Sequence, residues 1–133
     1  TPATDRYQLY KGILEGIASE LAIVTEVLAG VVGPFDAIRA SGGGARSALG
    51  LRLRATITGR RIQTLESPEA VCLGAALLAG VAAGVYRDLP EAVKQAVRVV
   101  GTIEPDRDEA RAYARQLRQY RLLYPALAPL REL

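Results

Sequence analysis

The first third of the chain carries one clear periodicity. Ile13, Ile17, Leu21, Val24, Leu28 and Val31 recur at spacings of four, four, three, four and three, which is one stripe of an amphipathic helix. Thr4 or Asp5 can cap its start, and Gly30 with Gly33-Pro34 stops it, so the helix is expected to reach about Val31. "FDAIRAS", residues 35–41, reads as a short strand that runs into three glycines. A second helix is expected from Ala45 to Ala55, followed by a turn at Thr58-Gly59 and a strand in "RRIQTL", residues 60–65. Ser67-Pro68-Glu69 opens a third helix with a capping side chain, a proline where no amide donor is needed, and an acid near the positive end.

From Ala70 to Tyr86 all seventeen residues are apolar or glycine, a length at the lower limit of a membrane span. Most of them are alanine or glycine, which gain little from lipid and allow a helix to approach a sheet closely. The segment is therefore expected to be a buried core helix, with Cys72 as a small buried hydrophobe. "DLPEAVKQAV", residues 88–97, starts another helix at Pro90. The last helix is expected from about Asp106 to Tyr124, with a packing stripe of Tyr113, Leu117, Tyr120 and Tyr124 beside a basic stripe of Arg111, Arg115, Arg118 and Arg121.

Strands alternating with helices predict an α/β fold, helix-rich, with a small parallel sheet. Two strands are few for so much apolar helix and leave an edge and part of a face without partners. The sequence also contains no methionine. Both features suggest a piece of a larger domain.

The remaining composition mainly excludes. Half of the 133 residues are hydrophobic and 23% are charged, as in a globular chain. A net charge of +3 fits a solvated basic surface, so no nucleic-acid partner is expected, and a basic interaction module using the arginine stripe is a rival reading. With no histidine and one cysteine, Ser-His-Asp and Cys-His nucleophile schemes, a disulfide framework and a zinc site are all excluded. No signal peptide is visible at the start, so a cytoplasmic location is expected, with no membrane partner.

The chemistry concentrates at "IRASGGGARSALG", residues 38–50. Glycine between a strand and a helix permits positive φ and lets a ligand reach backbone N–H groups. Anions favour the same position. A P-loop requires Lys-Ser/Thr after the last glycine, and Ala45-Arg46 stands there. A dinucleotide fingerprint uses Gly42 and Gly44, with Glu66 near a ribose, but Ser47 occupies the place of its third glycine.

A third scheme covers nearly the whole chain, from about Lys11 to Leu127. "YKGILEGIASEL", "ASGGGARS", "SPEAVCLGAALLAGVAAGVY" and "EPDRDEARAYARQLRQYRLLYPAL", in that order and spacing, resemble the C-terminal region of the FGGY family of carbohydrate kinases, to which glycerol kinase and xylulokinase belong. The resemblance implies a part of an actin/hexokinase-type, ribonuclease H-like ATPase domain. Residues 1–133 would be the C-terminal part of the second, nucleotide-binding domain, with its C-terminal helices. The implied activity is ATP-dependent phosphoryl transfer to an alcohol group of a sugar or polyol. Gly42, Gly43 and Gly44 would give the nucleotide close backbone approach, with Ala45 beside it and Ser47 as a polar contact to the adenine. Glu69 and Gly74 match positions of structural work.

The resemblance places the catalytic aspartate, most of the Mg2+ binding and the sugar domain outside this chain, so no catalytic or metal-ligating residue is assigned within it and the chain alone is not expected to catalyse. Relatives carry an aromatic and a glutamine after the turn, then an alanine-aspartate pair. Here those places hold Gly50, Arg52 and Ala55-Thr56. A non-catalytic, nucleotide-binding or regulatory relative is thus the other rival. Self-association through the unpartnered edges and faces is also expected.

Overall fold

The computed structural model describes residues 4–131. Helix α1 spans Arg6–Val32, and of its two candidate caps Asp5 serves. Its carboxylate accepts the Gln8 N–H at 2.8 Å, while the Gln8 side chain accepts the Asp5 N–H at 3.1 Å, a reciprocal box that satisfies two helix-end donors. Gly33 leaves the helix at a φ of +88°, a torsion that favours glycine.

Strand β1, Ala37–Ala40, is followed by a 3-10 turn at Gly43–Arg46 and by helix α2, Ala48–Thr58. The helix expected from Ala45 thus begins three residues later, because Ser47 caps it: its Oγ accepts the Gly50 N–H at 3.1 Å. At the other end α2 runs on to Thr58 and stops at Gly59, which is left-handed at a φ of +66°. Strand β2, Arg61–Leu65, pairs parallel to β1, with Ile38 beside Ile62 and Ala40 beside Thr64.

Helix α3, Ala70–Ala82, and helix α4, Leu89–Ala96, lead to strand β3, Val99–Ile103. The sequence pattern assigns no element to β3. It runs antiparallel to β2, so the described sheet is mixed, in the order β1-β2-β3, rather than parallel throughout. Gly101 disguises the strand in the sequence and yet fits its neighbour: a Cβ there would lie 2.7 Å from Thr64 Oγ1. Helix α5, Arg107–Tyr120, ends earlier than expected, and a short helix α6, Leu123–Leu127, follows. Pro125 explains the break. It has no N–H to offer the Arg121 carbonyl one turn back, and its ring would collide with that carbonyl.

Helix α2 is the centre of the molecule. One side packs on the inner sheet face through Leu51, Ala55 and Ile62, with Ile38, Ala40 and Ile103 around them. The other side packs through Leu53 and Ile57 on Ala18 and Ala22 of α1 and on Tyr113 of α5. Burial on two sides leaves little of α2 in water, as its buried Leu51, Leu53, Ala55, Thr56, Ile57 and Thr58 attest.

One burial expectation is overturned, and one apolar stripe stays bare. The large apolar stripe of α1 does not form the core: Ile13, Ile17, Val24, Leu28 and Val31 stay exposed, while Ala18, Ser19, Ala22 and Thr25 are buried. Small side chains let α1 approach α2 closely, and that contact sets its rotation. Nor is α3 a core helix. It packs on α4, with Leu77 and Ala92 buried, and leaves Val71 87% exposed and Cys72 exposed. Alanine and cysteine are easily buried, but burial needs a covering element, and among the described residues only α4 supplies a substantial one. The helix also ends at Ala82, followed by left-handed Gly84. Among the described residues, no helix is long and apolar enough to cross a membrane.

The tyrosine stripe holds as far as Tyr120. Tyr113 is buried, Leu117 packs against the core and Tyr120 is half-buried, whereas Tyr124, beyond the break, is 71% exposed.

Candidate functional site

Parallel strands bring their carboxyl ends to one side of a sheet, and loops leaving those ends share a mouth. Here the loop after β1 carries Ser41–Ser47, and the loop after β2 carries Glu66–Glu69. Main-chain atoms join them: Gly42 N–H donates to the Pro68 carbonyl at 2.7 Å. That carbonyl also accepts the Ala70 N–H at 3.1 Å. Helix α3 therefore starts at Ala70 with Glu69 in the cap position and no side-chain cap bond, and Ser67 does not cap it as the sequence suggests. A second join is ionic, between Arg46 and Glu69 at 3.4 Å.

The three glycines sit in different circumstances. Gly42 has a φ of +72°, so the turn itself requires it. Gly44 lies against the Arg54 guanidinium, where a Cβ would come within 2.9 Å of Nη2. Gly43 has neither constraint: its φ is ordinary for any residue, and a Cβ would meet nothing within 4 Å. The backbone around Gly43 is exposed and open to a ligand.

The first 3-10 bond runs from Ala45 N–H to the Gly42 carbonyl at 3.0 Å. The N–H groups of Gly43 and Gly44 precede it and so lie outside the turn's own bonding. Ala45 is half-buried beside them. Ser47 turns its oxygen toward the Gly50 N–H as the α2 cap, which leaves its hydroxyl proton for an outside acceptor. The first turn of α2 contains no acidic residue, so the positive end of the helix is not neutralised there. The structure thus brings Gly42, Gly43, Gly44, Ala45 and Ser47 together in one loop, as the sequence requires, and adds Arg54, Pro68 and Glu69. Glu66 stands just past β2, with its N–H donated to the Arg98 carbonyl at 3.0 Å.

Among the described residues, no three of the His, Cys, Asp and Glu side chains converge to hold a metal ion. A cation that accompanied a phosphate here would lack a protein cage of its own.

The sequence profile of the FGGY family of carbohydrate kinases, C-terminal domain, matches residues 1–83. The chain belongs to this family. It is 34% identical over 90 residues to the L-xylulose/3-keto-L-gulonate kinase of Escherichia coli, covering 68% of this chain and 18% of that protein. It is 31% identical over 108 residues to the glycerol kinase of Pasteurella multocida, covering 80% of this chain and 21% of that one. A crystal structure of a xylulose kinase from Brucella ovis superposes with a TM-score of 0.82 at 29% identity, over 96% of this chain and 26% of that chain. The FGGY chain thus spans about a fifth of the length of these curated relatives. It shares the actin/hexokinase-type ATPase fold of the sugar kinases, and the structural match extends past residue 83 into the later helices.

Within this FGGY chain, the departures from the family pattern are satisfied locally. Gly50 is buried, and a Cβ there would already lie 3.2 Å from Ser47 Oγ, so an aromatic side chain would require the neighbours to move. Arg52 pairs with Glu109 at 3.3 Å. Thr56 is buried and accepts the Asp106 N–H at 3.2 Å, which ties α2 to the start of α5. Glu69 closes the mouth through Arg46, while Gly74 faces open space.

Proposed function

We propose that this chain is the C-terminal part of the nucleotide-binding domain of an ATP-dependent sugar or polyol kinase, and that its glycine turn receives the adenine nucleotide. The observation that carries the reading is Gly43. Neither torsion nor crowding calls for a glycine there, and close approach of a ligand to the backbone does. The Gly43 and Gly44 N–H groups would hold phosphate oxygens, Ala45 would lie beside the nucleotide, and Ser47 would donate its hydroxyl proton to the adenine.

In the whole enzyme, positioning and charge neutralisation would carry the γ-phosphoryl transfer to the alcohol oxygen. The base that takes the alcohol proton, the sugar pocket and most contacts to Mg2+ would come from outside these residues. A kinase reading is favoured over a basic interaction module by the family match over residues 1–83, and the arginine stripe that such a module would use has Arg121 spent on Glu26.

The test is calorimetric titration of the 133-residue chain with ADP and Mg2+, repeated with Gly43→Asp. A carboxylate in that open space should leave the fold intact and repel the phosphates. Binding that the substitution abolishes is the expected result. Absence of binding in the unaltered chain, or equal binding in both, would overturn the assignment to this turn.

A further inference from the structure

We propose that Arg54 is a positioning residue for the nucleotide, acting through the glycine turn; the proposal rests on the nucleotide reading above. Arg54 lies in the second turn of α2, and its side chain points back toward the helix start, as helical side chains do. Its Nη1 donates to the Gly44 carbonyl at 3.0 Å. Its guanidinium lies so close to the Gly44 Cα that a Cβ would meet Nη2 at 2.9 Å, Nη1 at 3.1 Å and Cζ at 3.5 Å. Glycine at position 44 is therefore matched to arginine at position 54.

The bond fixes a specific piece of backbone. The peptide between Gly44 and Ala45 is held at both ends, its carbonyl by Arg54 and its N–H by the Gly42 carbonyl at 3.0 Å. Holding the Gly42 carbonyl in turn directs the Gly43 N–H to the opposite side, because the peptide between them is trans. Arg54 thus orients the Gly43 donor that the nucleotide would use without having to touch it.

Its charge adds a second effect. Arg46 on the turn and Arg52 on α2 each face a carboxylate, Glu69 and Glu109 in turn. Arg54 forms no such ion pair among the described residues. Its guanidinium lies against Gly44, so positive charge beside the turn is left to favour a phosphate-bearing ligand over a neutral nucleoside.

The experiment titrates ADP and adenosine into the full chain and into Arg54→Met, Arg54→Lys, Gly44→Ala and the Gly44→Ala/Arg54→Met pair. Amide hydrogen exchange at Ala45 is followed in each protein without ligand. Arg54→Met should weaken ADP about tenfold or more, with a far smaller change for adenosine, and should speed exchange at Ala45. Arg54→Lys should recover part of the ADP affinity. Gly44→Ala should weaken ADP alone yet add little once Arg54 is gone, since both changes break one contact. Unchanged ADP binding and unchanged Ala45 exchange in Arg54→Met would overturn the proposal. So would equal losses for ADP and adenosine accompanied by a general fall in melting temperature. Should the unaltered chain bind neither ligand, the nucleotide reading fails, and exchange at Ala45 still decides whether Arg54 holds the turn.

Discussion

Thr56 ties two helices together through one buried hydroxyl. It is 3% exposed, and its Oγ1 accepts the N–H of Asp106, the residue whose own carboxylate caps α5 through the Asp108 and Glu109 N–H groups. Thr56→Val keeps the volume and removes the acceptor. The stranded donor should cost about 1–2 kcal/mol, read as a lower urea midpoint with an unchanged slope. An unaltered midpoint would mean that water takes over the bond. At this scale the sequence discloses unevenly. The need for glycine at 42 is visible in its strand-to-helix position. Arg54 is not, because ten residues separate it from the carbonyl it holds and nothing in its own neighbourhood marks it. Cys72 misleads outright, since its apolar neighbours give no sign of whether anything covers them.

The seam between α1 and α5 is the element contact with the clearest electrostatic signature. Tyr113 Oη donates to Glu15 Oε1 at 2.8 Å, and Lys11 lies 3.4 Å from the same oxygen. Burial first, and then the Glu15 carboxylate, hold the Tyr113 proton on above the ordinary value of 10.0. Lys11 is also raised above 10.5, first by the Tyr113 charge and then by Glu15. Both groups bind protons more tightly when folded, so their contribution is complete below about pH 10 and is lost as the pH rises through the folded values. Melting temperature should therefore fall on the alkaline side, and Tyr113→Phe should make that fall shallower. A fall of equal steepness in the variant would assign the effect to other groups. Helix starts were readable at Asp5 and Asp106, where a side-chain cap stands at the expected boundary. The start of α2 was misplaced because a 3-10 turn and a helix look alike in sequence. Strand β3 was missed because Gly101 interrupts its apolar run, although the Thr64 hydroxyl opposite is what makes glycine fit.

Taken whole, the molecule has its core on the two sides of α2 and bare apolar surface on α1 and α3. Strand β1 is an edge of the described sheet, and open edges and apolar faces both promote association. The isolated chain should therefore self-associate, with light scattering showing a mass that rises with concentration. A constant monomer mass would show that these surfaces tolerate water. The fold class was readable from strand-helix alternation, and the glycine turn from its composition. The rotation of α1 was not, because periodicity identifies an apolar stripe without saying which neighbour it meets, and the small residues beside that stripe made the closer contact.

One detail at the mouth bears on how such a site can drift. The bond between Gly42 and Pro68 is written entirely in main-chain atoms. Any residue at 68 could offer that carbonyl, and no side chain at either position takes part. Substitutions can accumulate across both loops, altering charge and shape around the opening, while the two rims stay in register. The torsion at Gly42 is a place where such drift would pull them apart.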